Sequence, residues 1–170
     1  MSYSLQRMTE ADASETIEWI TCQYDFNPDE VQDWVGNLHF NWGMSVKAID
    51  EENNTIALLN MSDYRIEEET PLIIEEKPQL IQRLNKLRYI SVFSFIVSEQ
   101  YRHTKLNYEM MMAIWEDLQK YDFVFIPVMH RLKTHSYWKR WGAYEFYRDS
   151  MSIYYILPIS EKIKESCMEE

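Results

Sequence analysis

The residues with the clearest chemical potential lie in a short polar turn. Residues 98–104 form this turn, which contains Arg102 and has no glycine. A run of β-forming residues, Tyr89–Val97, precedes it, and residues 105–121 follow with apolar side chains at helical spacing. The first N–H groups of a helix have no acceptor within the helix, and the helix dipole is positive at that end. The sequence therefore predicts an anion-binding site at this strand–turn–helix.

A second group of charged side chains lies further along the chain. Residues 130–140 carry four cations and two histidines, which are Arg131, Lys133, Lys139, Arg140, His130 and His135. The whole chain has a formal net charge of −11 at pH 7. One basic patch on an acidic protein indicates a small anionic ligand. It disfavours nucleic acid, which needs an extended basic footprint.

The histidines and cysteines do not have metal-site spacing. The four histidines are His39, His103, His130 and His135, and the two cysteines, Cys22 and Cys167, are far apart. We therefore expect no metal and two reduced thiols, as in a cytoplasmic protein. The first ten residues lack the features of a secretory signal, and the longest apolar run, residues 123–129, is far below the ~20 residues of a membrane helix.

Local signals predict the elements that precede the polar turn. Thr9 and Asn27 are good helix caps, and Pro28 suits the first position of a helix. Residues 63–77 are acidic and predict a solvated loop, which together with a helix at 78–87 forms an insertion over about 63–88. The other predicted elements are a strand at 3–7, helices at 9–24 and 27–41, and hairpin strands at 44–49 and 55–61.

The elements after the turn complete a single predicted domain, residues 1–170. Pro127 within a buried strand indicates an edge, a bulge or a splayed end, and Gly142 should stop a short helix. The predicted elements are a helix at 105–121, a strand at 122–129, a helix at 134–141, hairpin strands at 143–147 and 150–157, and a charged tail at 159–170. This order predicts an α+β domain with a mixed sheet.

The order of elements and two local pieces resemble the GNAT superfamily of N-acetyltransferases over residues 3–157. In the first piece, Arg102 stands at the family's Arg or Gln position, whereas Lys105 and Asn107 stand where glycines are usual. In the second piece, residues 136–143 (SYWKRWGA) are similar to the family's helix end, with Trp138 where a Tyr is usual. Lys105 could either add charge to a phosphate site or crowd it.

The resemblance implies a fold, an activity and a cofactor. The fold is a GNAT-like, acyl-CoA N-acyltransferase domain of three α/β/α layers around a mixed sheet of about seven strands. The activity is direct transfer of an acetyl group from acetyl-CoA, as co-substrate, to a primary amine, without a metal. The implied cofactor-binding residues are Ile96, Val97, Arg102, His103, Thr104, Lys105, Leu106 and Asn107.

The resemblance also implies catalytic roles and partners. Glu99, just past the strand, is the candidate base; Tyr137 is the candidate acid; and His130 is a further candidate base or orienting group. The acids Asp63 and residues 67–69 could line the mouth of a site for a cationic amine. A homodimer is one state compatible with this resemblance.

Two alternative functions stay open at this point. The absent glycines and the absent Tyr favour a catalytically inactive protein of the same fold, which binds a CoA-like ligand or a protein partner. A pure interaction protein would use exposed aromatic side chains around Trp138 and Trp141. Burial of both side chains would count against that third reading.

Overall fold

The computed structural model describes residues 2–37 and 40–167. Seven strands form one mixed sheet in the order β1-β2-β3-β4-β5-β7-β6, with helices on both faces. This arrangement confirms the predicted three-layer α/β/α fold. The strands are β1 (Tyr3–Arg7), β2 (Val46–Asp50), β3 (Thr55–Ser62), β4 (Tyr89–Val97), β5 (Phe123–Met129), β6 (Tyr144–Arg148) and β7 (Ser152–Pro158).

The five predicted helices are present, and three further short helices lie at 66–69, 73–76 and 162–167. They are α1 (Ala13–Tyr24), α2 (Pro28–Asn37), α3 (Ile66–Glu69), α4 (Ile73–Glu76), α5 (Pro78–Leu84), α6 (Leu106–Leu118), α7 (His135–Arg140) and α8 (Lys162–Cys167). Asn27 caps α2 as predicted, since its Oδ1 accepts a hydrogen bond of 2.9 Å from the N–H of Asp29. His39 lies outside the described residues.

The contacts divide the described residues into two compact units. That residues 1–170 form a single domain stays a prediction. The first unit contains the residues up to Asp63 together with Phe93–Asp117. In it β1 pairs antiparallel with β2, and β2 with β3, so the predicted hairpin is confirmed. Its helical layer packs through a buried cluster of Ile20, Val31, Val35 and Ile96.

The second unit contains Tyr64–Val92 and the residues from Leu118 onward. The first three residues of β4 pair in parallel with β5, and β7 pairs antiparallel with both β5 and β6. The predicted terminal hairpin is therefore present. β5 is an interior strand, so the predicted edge position of Pro127 is wrong. Pro127 lies opposite Tyr154 of β7. The pairing of β5 with β4 ends at Phe125, two residues before Pro127.

The insertion corrects another prediction. The solvated loop expected at 63–77 contains the two short helices α3 and α4. Their apolar side chains Ile66 and Ile73 are fully buried, and they pack in one cluster with Phe123 and Phe125 of β5. Although this stretch is rich in acids, the burial of one apolar side chain in each short helix is enough to hold the segment against the sheet.

Candidate functional site

The end of β4 is tied to the neighbouring strand by one serine. The backbone N–H and the side-chain hydroxyl of Ser98 both donate to the carbonyl of Ile56, at 2.9 and 2.7 Å. Just before this point Ile96 is buried and Val97 is half-buried. This double attachment fixes where the polar turn begins.

Within the turn, Glu99–Tyr101 form a 3-10 segment, and the helix α6 begins at Leu106. The N–H of Arg102 donates to the carbonyl of Glu99 at 3.1 Å. The hydroxyl of Thr104 donates to the Tyr101 carbonyl at 2.7 Å and accepts from the N–H of Leu106 at 3.3 Å. Thr104 therefore joins the turn to the first residue of α6.

His103 provides the turn's left-handed residue, with φ 66°. Lys105 and Asn107, which stand where the resembled family has glycines, are not among the described positive-φ residues. At those two positions the backbone path therefore does not require glycine. Only His103 carries the conformational strain that a left-handed residue with a Cβ imposes.

Two backbone donors at this turn are available. Among residues 2–37 and 40–167, no acceptor is found for the N–H groups of His103 and Lys105. Both residues are exposed, as are Arg102 and Thr104. Unused N–H groups at the start of a helix form the kind of site that binds anions.

The guanidinium of Arg102 is anchored beside these donors. Its Nε donates to the carbonyl of Val97 at 3.1 Å, across the turn. Within the described part of the chain its two Nη groups have no hydrogen-bond partner. This anchoring holds an exposed planar cation with free donors at the end of β4, which suits the recognition of a phosphate group.

Lys105 is held on the side of α6. Its Nζ lies 3.0 Å from Oε1 of Glu109, and the Glu109 carboxylate also accepts a hydrogen bond from the Tyr3 hydroxyl. The bond from Tyr3, together with Lys105, lowers the pKa of Glu109. Burial and this same carboxylate raise the pKa of Tyr3 to about 12. The ammonium of Lys105 has a carboxylate partner on the helix, and this contact leaves both readings of Lys105 open.

Glu99 and the strand end that precedes it lie in the first unit, whereas His130 and Tyr137 lie in the second. Glu99 is exposed, one residue beyond Ser98. Its role as a base stays a prediction.

His130 is exposed and oriented by the β6–β7 turn. Its ring Nε2 lies 2.8 Å from the carbonyl of Asp149, and its backbone N–H donates to the carbonyl of Met151 at 3.0 Å. Since a carbonyl only accepts, Nε2 carries the proton, and Nδ1 is the nitrogen that could act as a base.

Tyr137 is half-buried between two tryptophans of the α7 region. Its ring centroid lies 4.9 Å from Trp138 and 6.5 Å from Trp141. Burial raises the pKa of Tyr137 well above its usual value, although a hydrogen bond with Trp141 and the charge of Arg140 act in the opposite direction. Tyr137 is therefore protonated at neutral pH and can donate a hydrogen bond.

Trp138 is 2% exposed, and Trp141 is half-buried. The exposed aromatic surface expected for a pure interaction protein is therefore wrong for Trp138. The helix ends as predicted at Gly142, whose φ is 97°. The N–H of Ala143 then returns to the carbonyl of Trp138 at 3.1 Å, which closes the helix end over the buried indole.

His135 is fully engaged in hydrogen bonds. Its Nδ1 lies 2.8 Å from the Tyr155 hydroxyl, and its Nε2 lies 3.2 Å from the carbonyl of Met129. It therefore serves to fix α7 on the sheet. The four cations of the predicted basic patch, Arg131, Lys133, Lys139 and Arg140, are all exposed.

A partly buried network around Asp149 was not anticipated from the sequence. Oδ2 accepts from the Tyr154 hydroxyl at 2.6 Å and from the Thr70 hydroxyl at 3.2 Å, and Oδ1 accepts the N–H groups of Met151 and Ser152. Desolvation alone would raise the pKa of Asp149, but these hydrogen bonds outweigh it and lower the pKa. Asp149 thus connects the insertion to the turn that orients His130. Its place at a hairpin turn was the only available signal.

The described residues contain neither a candidate metal site nor a candidate membrane span. No group of three or more His, Cys, Asp or Glu side chains there could hold a metal ion. No helix in residues 2–37 and 40–167 is both long enough and apolar enough to pass through a membrane.

Comparison with known proteins identifies the fold. No family model and no curated protein sequence matches the chain. Solved structures do match. The polyamine N-acetyltransferase of Drosophila melanogaster aligns with a TM-score of 0.67 at 10% identity, over 92% of this chain and 100% of the other. A GNAT-family acetyltransferase from Staphylococcus aureus gives 0.66 at 12% identity, over 94% and 100%.

A third neighbour was solved with coenzyme A. It is the PaiA N-acetyltransferase from Thermoplasma acidophilum, with a TM-score of 0.60 at 10% identity over 93% of this chain and 99% of the other. Identities this low establish the architecture alone. The chain has the fold of the GNAT N-acetyltransferases.

Proposed function

We propose that the protein is an N-acyltransferase that moves an acetyl group from acetyl-CoA to a primary amine. The observation that carries this proposal is the turn between β4 and α6. There the anchored Arg102 guanidinium and the unused N–H groups of His103 and Lys105 belong to neighbouring exposed residues of one turn. These donors suit the pyrophosphate of a CoA thioester. The fold and the CoA-bound PaiA structure support the choice of ligand.

The reaction requires a neutral amine and a protonated leaving group. The base removes a proton from the ammonium, and the nitrogen lone pair attacks the thioester carbonyl carbon. A C–N bond forms, the C–S bond breaks, and the CoA thiolate takes a proton to leave as the thiol. In this proposal Glu99 is the base, and backbone N–H groups near Ile96 and Val97 hold the acyl carbonyl oxygen.

The second unit supplies the remaining proposed roles. Tyr137 is protonated at neutral pH and is the proposed donor to the thiolate. His130 presents a fixed ring whose Nδ1 is the basic nitrogen. Because Trp138 has no acidic proton and is buried, it cannot replace the Tyr that the resembled family has at this point.

That replacement favours a second candidate function, which is binding of CoA or an acyl-CoA without turnover. The two candidates share a ligand and differ in chemistry. A pure interaction protein could use only the half-buried Trp141 of the two tryptophans, because Trp138 is buried.

One experiment separates these candidates. Acetyl-CoA at about a hundred times its Kd should stabilise the fold by about 2.7 kcal/mol, which corresponds to a Tm increase of about 5–10 °C for a chain of this size. Acyl transfer is then followed by release of the CoA thiol and by the mass of the product over a panel of primary amines. Glu99→Gln should abolish transfer and retain binding, and Glu116→Gln on α6 is the matched control.

Three outcomes are informative. Binding with transfer that depends on Glu99 supports the acyltransferase. Binding without transfer to any amine supports the non-catalytic candidate. The absence of a Tm increase with several acyl-CoAs would rule out both.

A further inference from the structure

The outer face of α6 carries a stripe of three large apolar side chains, here called the α6 stripe. Its members are Tyr108, Met112 and Trp115, which stand at positions i, i+4 and i+7 and therefore lie on one face of the helix. Tyr108 is 56% exposed, Met112 is 42% exposed, and Trp115 is half-buried. Single exposed apolar side chains are ordinary, whereas a continuous row of them indicates a contact surface.

The packing of α6 within the first unit directs the stripe outward. The opposite face of the helix is fully buried and consists of Leu106, Met110 and Ile114. On one flank, Nη2 of Arg7 donates to the carbonyl of Ala113 and to the carboxylate of Asp117, both at 2.7 Å. The helix therefore cannot rotate to bury the stripe without losing its core contacts and its attachment to β1.

The two ends of the stripe carry opposite charges. Lys105 stands three residues before Tyr108, and Glu116 stands four residues after Met112, so both lie on the exposed face. The Lys105 ammonium contacts Glu109 at 3.0 Å, yet its side chain remains 78% exposed. A net charge of −11 opposes contact between two copies of this chain over most of their surface. The stripe, with one charge of each sign at its ends, is an exception.

We propose that the α6 stripe is the contact surface between two copies of this chain, with their α6 helices antiparallel about a two-fold axis. In such an interface, if one residue contacts a second, the second contacts the first in return. With Met112 on the axis, Tyr108 lies about 6 Å to one side along the helix and Trp115 about 4.5 Å to the other, from a rise of about 1.5 Å per residue. Each Tyr108 ring then packs beside Trp115 of the partner subunit.

The charges select a second copy as the occupant. In the antiparallel arrangement the cation at the start of one stripe, Lys105, lies toward the acid at the end of the other, Glu116, and this pairing occurs twice. A parallel arrangement would place like charges together. The sequence of charge and apolar side chains along α6 is therefore complementary to itself only when the two helices run in opposite directions.

The size of the stripe sets the expected strength. One helix face from each copy is at the small end of specific interfaces, so we expect a reversible dimer with a Kd of about 10–100 µM. This inference goes beyond the proposed function and does not depend on it, because none of the three apolar side chains has a part in the proposed binding of acetyl-CoA or in acyl transfer.

Sedimentation of the full chain tests the dimer. At physiological ionic strength, which screens the net charge, the mass should rise from that of a monomer at about 1 µM toward that of a dimer at about 300 µM. The mass of a monomer at every concentration would overturn the proposal and leave the stripe to a different partner.

Variants on the stripe test its location. Met112→Glu places two carboxylates on the axis and should weaken the dimer at least about tenfold. Leu72→Glu is the matched control, because Leu72 is a 53% exposed apolar residue of the second unit, and its Kd should equal that of the wild type. Tyr108→Ser, which removes the most exposed ring of the stripe, should weaken the dimer about fivefold if Met112→Glu does not fold. A dimer of unchanged Kd in the folded stripe variants would overturn the location.

Charge exchange tests the antiparallel arrangement. Glu116→Lys opposes two cations and should raise the Kd about threefold to fivefold. Combining it with Lys105→Glu restores opposite charges at both ends, and the Kd should return to within about twofold of the wild type. Urea titration of each variant at about 1 µM separates dimer loss from loss of folding. A double variant that associates no better than Glu116→Lys would overturn the antiparallel pairing.

Discussion

Replacement of Arg102 by Ala tests the proposed cofactor site most directly. The side chain is exposed, and its one described hydrogen bond is from Nε to the carbonyl of Val97 at 3.1 Å. An exposed bond of this kind contributes at most about 0.5–1 kcal/mol to the free energy of unfolding. The loss of hydrogen bonds from a guanidinium to phosphate is larger, about 1.5–3 kcal/mol. We therefore expect the Kd for acetyl-CoA to rise by about 10- to 100-fold while Tm changes little.

The assay is isothermal titration with acetyl-CoA, supported by unfolding in urea. Arg102→Lys keeps the charge but cannot reproduce both the Nε anchor and the free Nη donors, so an intermediate Kd is expected. Arg148→Ala is the matched control, because Arg148 is another exposed arginine with a local carboxylate partner, Glu145. An unchanged Kd for Arg102→Ala would refute the placement of the phosphate site at this turn.

Two further predictions concern stability. His103→Gly should raise the free energy of unfolding by about 0.5–1 kcal/mol, because glycine adopts φ 66° without a Cβ clash. Urea titration measures this difference. A lower stability of the variant would show that the imidazole makes contacts that offset the backbone strain. Asp149→Asn should lower the free energy of unfolding by about 1–2 kcal/mol at pH 6. Because the native pKa of Asp149 is depressed, its contribution is present above the unfolded pKa of about 3.9 and is lost as pH falls through the native value. The difference between wild type and variant should therefore shrink toward pH 3, and a constant difference would assign the effect to packing.

Much of the fold could be predicted because the elements carry local signals. The apolar run before the polar turn predicted β4 with its bounds, and Asn27 with Pro28 predicted the start of α2. The insertion was predicted less well. Its many acids concealed Ile66 and Ile73, and the burial of such short segments is decided by the sheet they contact rather than by their own composition.

The candidate site, like the fold, was predicted only in part. The turn was found from its position between a strand and a helix, which are β4 and α6. The left-handed residue could not be assigned, since nothing in the sequence singles out His103. The Asp149 network joins residues almost 80 positions apart, Thr70 and Asp149, and no local pattern reports such a contact. The roles of Glu99, Tyr137 and His130, the homodimer and the cytoplasmic location stay predictions.

The left-handed residue at position 103 has a consequence for how this turn can diverge. The backbone path depends on one residue, and the anion donors are main-chain groups that any residue except proline supplies. The backbone conformation therefore does not restrict which side chain stands at positions 105 and 107. A residue pattern that demands glycine there would pass over this chain. Relatives of such a protein are better sought by the course of the backbone than by the identity of its glycines.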